Sequence, residues 1–166
     1  TAKHRSSKTM ALGATRITDE GLHELARLPN LQSLNLSSTK VTAEGITHLR
    51  PMSSLLYLGL ANTNIDDSDV EEIGKLRSLR KLMLMKTNVH GPGLVHLGKL
   101  PNLTLLDMHG CSLQDGRGLA ELNQVKRLWM WDAYLAPGVL SPIHKMANLR
   151  DGACAGLSIN NRHTLH

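Results

Sequence analysis

One six-position pattern, L-x-x-L-x-L, leaves few folds open to this chain. It appears first as Leu31, Leu34 and Leu36. It returns at Leu55/Leu58/Leu60, Leu79/Leu82/Leu84 and Leu103/Leu106/Met108, then as Val125/Leu128/Met130. The interval is 24 residues for three steps and 22 for the next. One interval upstream, Ser7, Met10 and Leu12 fill the same slots. Downstream, Leu149, Gly152 and Cys154 fill them in degenerate form. Seven units follow, starting near residues 7, 31, 55, 79, 103, 125 and 149, and we read residues 1–166 as one domain built from them. Weak end units are expected in a stack, because each has a neighbour on one side only.

Each slot pattern reads as a short strand, its apolar residues pointing inward and the intervening ones outward. A second run follows with apolar residues three apart: Leu22/Leu25/Leu28, Ile46/Leu49/Met52, Val70/Ile73/Leu76, Leu94/Leu97/Leu100 and Leu140/Ile143/Met146. That spacing keeps them on one face of a short helix. Thr18, Thr42 and Asp66 precede these runs, where a side-chain oxygen caps free N–H groups. Gly21, Gly45 and Gly93 in the first turns suggest close backbone packing between units. Between strand and helix stands the column Thr15, Thr39, Thr63, Thr87 and Cys111, whose hydroxyls are placed to satisfy backbone groups as the chain turns. The fifth unit lacks two residues around Asp115–Leu119, so its helix should be short or irregular.

Composition agrees. The chain holds 31 leucines and no phenylalanine, with aromatics at 2%. A core of identical slots needs one branched side chain rather than aromatics to fill irregular gaps. Charged residues at 20% exclude a disordered segment, and the short apolar runs exclude a membrane-spanning helix. The net charge of +5 permits anionic partners without demanding them. Two cysteines, Cys111 and Cys154, are too few for a disulfide scaffold and occupy different columns two units apart. Both read as structural, in a reducing compartment. No secretory signal is visible. The chain begins at Thr1, as a processed protein or a piece of a longer one would. The sequons at Asn35 and Asn102 lie inside patterned segments and read as coincidence.

The repeat resembles the leucine-rich repeat family over essentially the whole chain. The segments Thr15-Arg-Ile-Thr-Asp-Glu-Gly-Leu22 and Thr39-Lys-Val-Thr-Ala-Glu-Gly-Ile46 resemble its ribonuclease-inhibitor-like subgroup with 24-residue repeats, found in bacterial repeat proteins and effectors and in F-box substrate receptors. The resemblance implies an α/β right-handed solenoid, with a parallel sheet on the concave side and short helices on the convex side. No F-box-like helical pattern precedes the repeats, and no cysteine-rich cap flanks them. The expectation is therefore an intracellular and most simply cytoplasmic protein, with the mitochondrial matrix or a bacterial effector as alternatives.

Outward strand positions form columns. The first runs Thr9, Ser33, Tyr57, Lys81, Leu105, Arg127 and Asp151. The second runs Ala11, Asn35, Gly59, Met83, Asp107, Trp129 and Ala153, and the third Gly13, Ser37, Ala61, Met85, His109, Trp131 and Ala155. Units one to three present small and polar groups. Units four to six present Lys81, Met83, Met85, Leu105, Asp107, His109, Arg127, Trp129 and Trp131. With Tyr57 and Arg80 these form the candidate partner-binding set. Exposed Trp, Met and Arg are enriched where proteins meet. The competing reading has the tryptophans packing on each other or under a cap made by the tail after Cys154.

Catalysis and metal chemistry are not expected. His48 and His96 lie two units apart, too far for one metal, and His144 lies further on in another column; all three read as solvated helix residues. Asp107 and His109 share a strand face but have no nucleophile beside them, since Thr104 sits at the strand start. Gly91-Pro-Gly93 and Gly116-Arg-Gly118 lack phosphate-loop context. No cofactor is implied. The expected function is a non-enzymatic module binding a protein partner through the concave face, with no membrane span. Alternatives are an architectural subunit of a larger assembly, or nucleic-acid binding by Arg80, Lys81, Lys126, Arg127 and Arg150 beside the tryptophans. Asp107, Asp132 and Asp151 interrupt that basic set.

Overall fold

A computed structural model describes residues 7–154 and 157–160, with side chains through Asp151. The repeating pattern forms seven parallel strands in one sheet: β1 (Thr9–Ala11), β2 (Ser33–Asn35), β3 (Tyr57–Gly59), β4 (Lys81–Met83), β5 (Leu105–Asp107), β7 (Arg127–Met130) and β9 (Asp151–Cys154). Neighbours pair position for position: Leu34 with Leu58, Leu58 with Leu82, Leu82 with Leu106, Leu106 with Leu128. A final strand, β10 (Leu157–Asn160), pairs antiparallel to β9 and extends that edge. A small second ladder joins β6 (Ser112–Leu113) to β8 (Tyr134–Leu135). This is an α/β repeat solenoid.

The coils are stitched by backbone. The carbonyl just before each strand accepts two N–H groups of the next coil. Lys8 accepts from Gln32 and Ser33, Leu56 from Arg80 and Lys81, and Arg80 from Thr104 and Leu105. Beneath the ladder the slot residues of coils two to six, Leu31 through Met130, are fully buried in one core. Each buried leucine contributes roughly 1.5–3 kcal/mol against exposure.

Each strand ends where the chain bends away, and there the threonine column acts as expected. The hydroxyls of Thr15, Thr39 and Thr63 donate at 2.6 Å to the carbonyls of Leu12, Leu36 and Leu60, and Thr87 donates to Leu84 at 2.7 Å. The Cys111 thiol reaches back one coil to the Leu84 carbonyl at 3.0 Å. It is buried and unbridged. The same bend imposes something the sequence pattern does not display. Ala14, Ser38, Asn62, Lys86, Gly110 and Asp132 all have φ between 51° and 67°. This left-handed conformation aims the Ser38, Asn62 and Lys86 N–H groups at the carbonyls of Ala61, Met85 and His109 on the next coil. A side chain makes it strained at Ala14, Ser38 and Lys86, while Gly110 meets it without strain.

The opposite face carries α1 (Asp19–Leu25), α2 (Ala43–His48), α3 (Val70–Ile73) and α4 (Leu94–Leu97), then 3-10 turns at Arg117–Glu121 and Ser141–Lys145. Such short helices do not stand alone in water and are held by their buried faces. The shortened fifth unit is irregular as expected. In the sixth, Pro142 near the start and apolar residues three apart suit the three-residue period of a 3-10 turn. Capping differs in part. Thr42 accepts from the Glu44 N–H, but Thr18 makes no such bond. Asp66 accepts from the Ser68 and Asp69 N–H groups, holding the loop before α3 rather than its first residue. Asp67 reaches the next coil, accepting from the N–H groups of His90, Gly91 and Gly93 at 2.7–3.1 Å. A Cβ at Gly93 would lie 2.4 Å from the Asp67 carbonyl oxygen, the close packing anticipated for that glycine. The slot assigned to Cys154 falls outside the described side chains.

The left-handed column makes a paired prediction for urea unfolding. Lys86→Gly raises stability by about 0.5–1 kcal/mol, and Gly110→Ala lowers it by about 1 kcal/mol or more. Equal signs for the two would contradict the strain argument. Leu106→Ala, in the centre of the core, costs about 2–5 kcal/mol.

Candidate functional site

The sheet face away from the helices carries the three outward columns, and coils three to six hold the chemistry. Arg80, Lys81 and Arg127 are exposed; Tyr57, Met83, Met85, His109 and Trp129 are half-buried. Trp131 is 53% exposed. Trp129 pairs across the ladder with Asp107 on one side and Ala153 on the other. The tail strand β10 lengthens the sheet by pairing with β9, and Trp131 keeps half its surface open.

Two members of the set differ from expectation. Leu105 and Asp107 occupy outward positions yet are each only 5% exposed. Alternation along a strand decides which face a side chain takes, but neighbours on adjacent strands decide whether water reaches it. Leu105 is buried on the open side, apart from the main core. Asp107 accepts the backbone N–H of His109 at 3.0 Å, as Asn35 does from Ser37 three coils earlier. Burial pushes the Asp107 carboxyl above its ordinary range, opposed by that hydrogen bond and by His109. Tyr57 lies low over its own strand: a Cβ at Gly59 would come within 3.2 Å of the tyrosine hydroxyl. Its pKa is pushed up by burial and then by the Asp107 charge, which ties two coils together electrostatically.

The Nε2 of His109 lies 3.6 Å from the exposed carboxylate of Asp132. The Thr104 hydroxyl donates to the Arg80 carbonyl. Asp107 and His109 share a backbone hydrogen bond. On the helix side, His48 packs edge-on against His23 with ring centroids 5.0 Å apart. His144 is exposed and its Nδ1 lies 2.6 Å from the Ser141 carbonyl. His96 departs from the solvated reading: its Nδ1 is buried without a hydrogen-bond partner, because coil stacking covers the ring. Among the described residues no group of three His, Cys, Asp or Glu is arranged to hold a metal ion. No described helix is long and apolar enough to cross a membrane.

Tyr134, outside the outward strand columns, is 66% exposed. Its signal was present in the repeat. The equivalent positions are Arg16, Lys40, Asn64, Asn88 and Ser112, so a polar column ends in an aromatic ring. Lys126 and Arg150, in the column just before the strands, are exposed as well.

The Asp107 environment sets a pH dependence. A carboxyl raised above its unfolded value is penalised in the folded state where it is charged. That cost is absent below the ordinary aspartate range, builds as pH rises through the raised value, and is complete above it. Asp107→Asn keeps an acceptor for the His109 N–H and removes the charge. Its urea midpoint should exceed the parent's at pH 7, with the gap closing near the acid end of a pH series. A gap that widens toward acid would contradict this.

Residues 27–49 match the family model for the leucine-rich repeat. Solved structures that share the fold include two internalins of Listeria monocytogenes. Internalin inlF is 21% identical with a TM-score of 0.70, covering 89% of this chain and 41% of its own. Internalin C2 is 22% identical with a TM-score of 0.69, covering 89% of this chain and 61% of its own. The chain thus spans less than two-thirds of either. No curated protein matches it in sequence. One stretch of the chain thus matches a leucine-rich repeat, and the whole shares the solenoid fold of these structures.

Proposed function

We propose that the chain is a non-enzymatic protein-recognition module that seats a protein partner on the open sheet face of coils three to six. The carrying observation is Trp131, more than half exposed, beside half-exposed Trp129, Met83 and Met85 on a backbone ladder that holds their spacing. Aromatic surface left in water is a cost that burial against a partner removes, and Trp is among the commonest hot-spot residues. Lys81, Arg80, Arg127, His109 and Tyr57 border this centre, with Leu105 and Asp107 as its floor. The proposal includes the ribonuclease-inhibitor-like subgroup with 24-residue repeats. It includes an intracellular, reducing setting, supported by the free buried thiol of Cys111. A second reading is an architectural subunit of a larger assembly. It is favoured by β1, which among the described residues pairs on one side only.

Trp129→Ala combined with Trp131→Ala should abolish capture of the native partner in a pull-down and leave circular dichroism unchanged, since neither ring belongs to the main core. Undiminished capture would refute the proposal. In a Trp129→Phe variant, iodide should quench the remaining Trp131, and the bound partner should protect it.

A further inference from the structure

The two columns at the strand-entry rim hold an unbalanced charge. Arg80, Lys126 and Arg150 stand just before their strands, and Lys81 and Arg127 at the first strand position; all five are exposed. Asp151 is the one acid in either column. Elsewhere several acids are paired with neighbouring cations. Glu24 pairs with Arg27, Glu72 with Arg50 and Lys75, Glu71 with Lys75, and Asp115 with Arg117. None of the five rim cations makes an ion pair among the described residues. They form one stripe, because Lys81, Leu105, Arg127 and Asp151 are consecutive ladder partners. Lys81 and Arg127 therefore lie two strand spacings apart, about 10 Å.

The strand-exit rim differs. It carries Trp131 and Tyr134, and between them Asp132, whose side chain is 87% exposed. Arg127 and Trp131 are four residues apart along one extended segment, about 13 Å at 3.3 Å per residue. The face thus offers cations at one rim and aromatic surface at the other, at a separation that a four-residue extended peptide spans.

We propose that the open face binds an extended acidic peptide segment of a partner protein. Its carboxylates lie over Arg80, Lys81, Lys126, Arg127 and Arg150, and an apolar side chain about four residues away packs on Trp131 and Tyr134. This rests on the proposed function above and names its partner chemistry. A single nucleic-acid strand fits less well. A base stacked on Trp131 brings its phosphates beside the Asp132 carboxylate, and repulsion there opposes the stacking gain. A peptide confines its negative charge to the cationic rim.

Fluorescence anisotropy tests this with the intact chain and a labelled peptide of three consecutive glutamates, three spacer residues and one leucine. Parallel arms use the same peptide with glutamines for the glutamates, and a uridine oligonucleotide. The acidic peptide should bind, weaken as salt is raised, and lose roughly tenfold or more in Lys81→Glu with Arg127→Glu. Trp131→Ala should weaken it as well. Glutamine peptide binding as tightly, oligonucleotide binding as tight or tighter, or no binding of the acidic peptide overturns the inference. If the glutamine peptide binds equally and Trp131→Ala removes it, the acidic partner fails while recognition by this face stands. If both variants leave peptide binding unchanged, both readings fail.

Discussion

The carbonyl before each strand, shared between two N–H groups of the next coil, is the contact on which the rest depends. It locks consecutive coils in one register, so that Leu34, Leu58, Leu82, Leu106 and Leu128 fall in line. No coil could bury its leucines alone, since each contributes one short strand and at most two helical turns. The ladder brings the apolar edges together and the leucines exclude water from the ladder. Neither forms without the other, and that accounts for the dependence of such folds on several stacked units.

The same register carries side-chain detail from coil to coil. Threonine hydroxyls close the bend after each strand by donating to the carbonyl three residues back. Cys111 substitutes for threonine in this column by donating to the preceding coil, which places a thiol in the core. Asp67 acts along the stack, holding three N–H groups of the following loop. Such contacts join neighbours only, so coils four to six can carry an open aromatic rim without disturbing the rest.

Much of this was legible in the residues. The slot pattern named the strands, the spacing of three named the helical face, and the missing residues near Asp115 forecast the irregular turn. Alternation also placed Trp131 and Arg127 on the open side. It could not tell that Leu105 and Asp107 would be covered, because coverage comes from residues on adjacent strands. Tyr134 lies outside the strand columns, in a column past the bend that is polar in every earlier repeat. The twin rims are written in no single repeat: the cationic stripe joins ladder partners of consecutive strands, and the aromatic rim stands at the end of one of them.

The periodic leucines by themselves determined that the chain stacks into a solenoid, because an identical inward slot repeated at a constant interval has one economical packing. They determined equally that the few aromatics would stand outside the core. Only the tertiary structure decided the backbone bend at Ala14, Ser38 and Lys86, residues whose own preferences oppose it. There the hydrogen bond to the next coil outweighs local strain. Only the tertiary structure decided, too, which outward side chains meet water: Trp131 stays open at the strand end, while Asp107 is enclosed by neighbours that no single repeat contains.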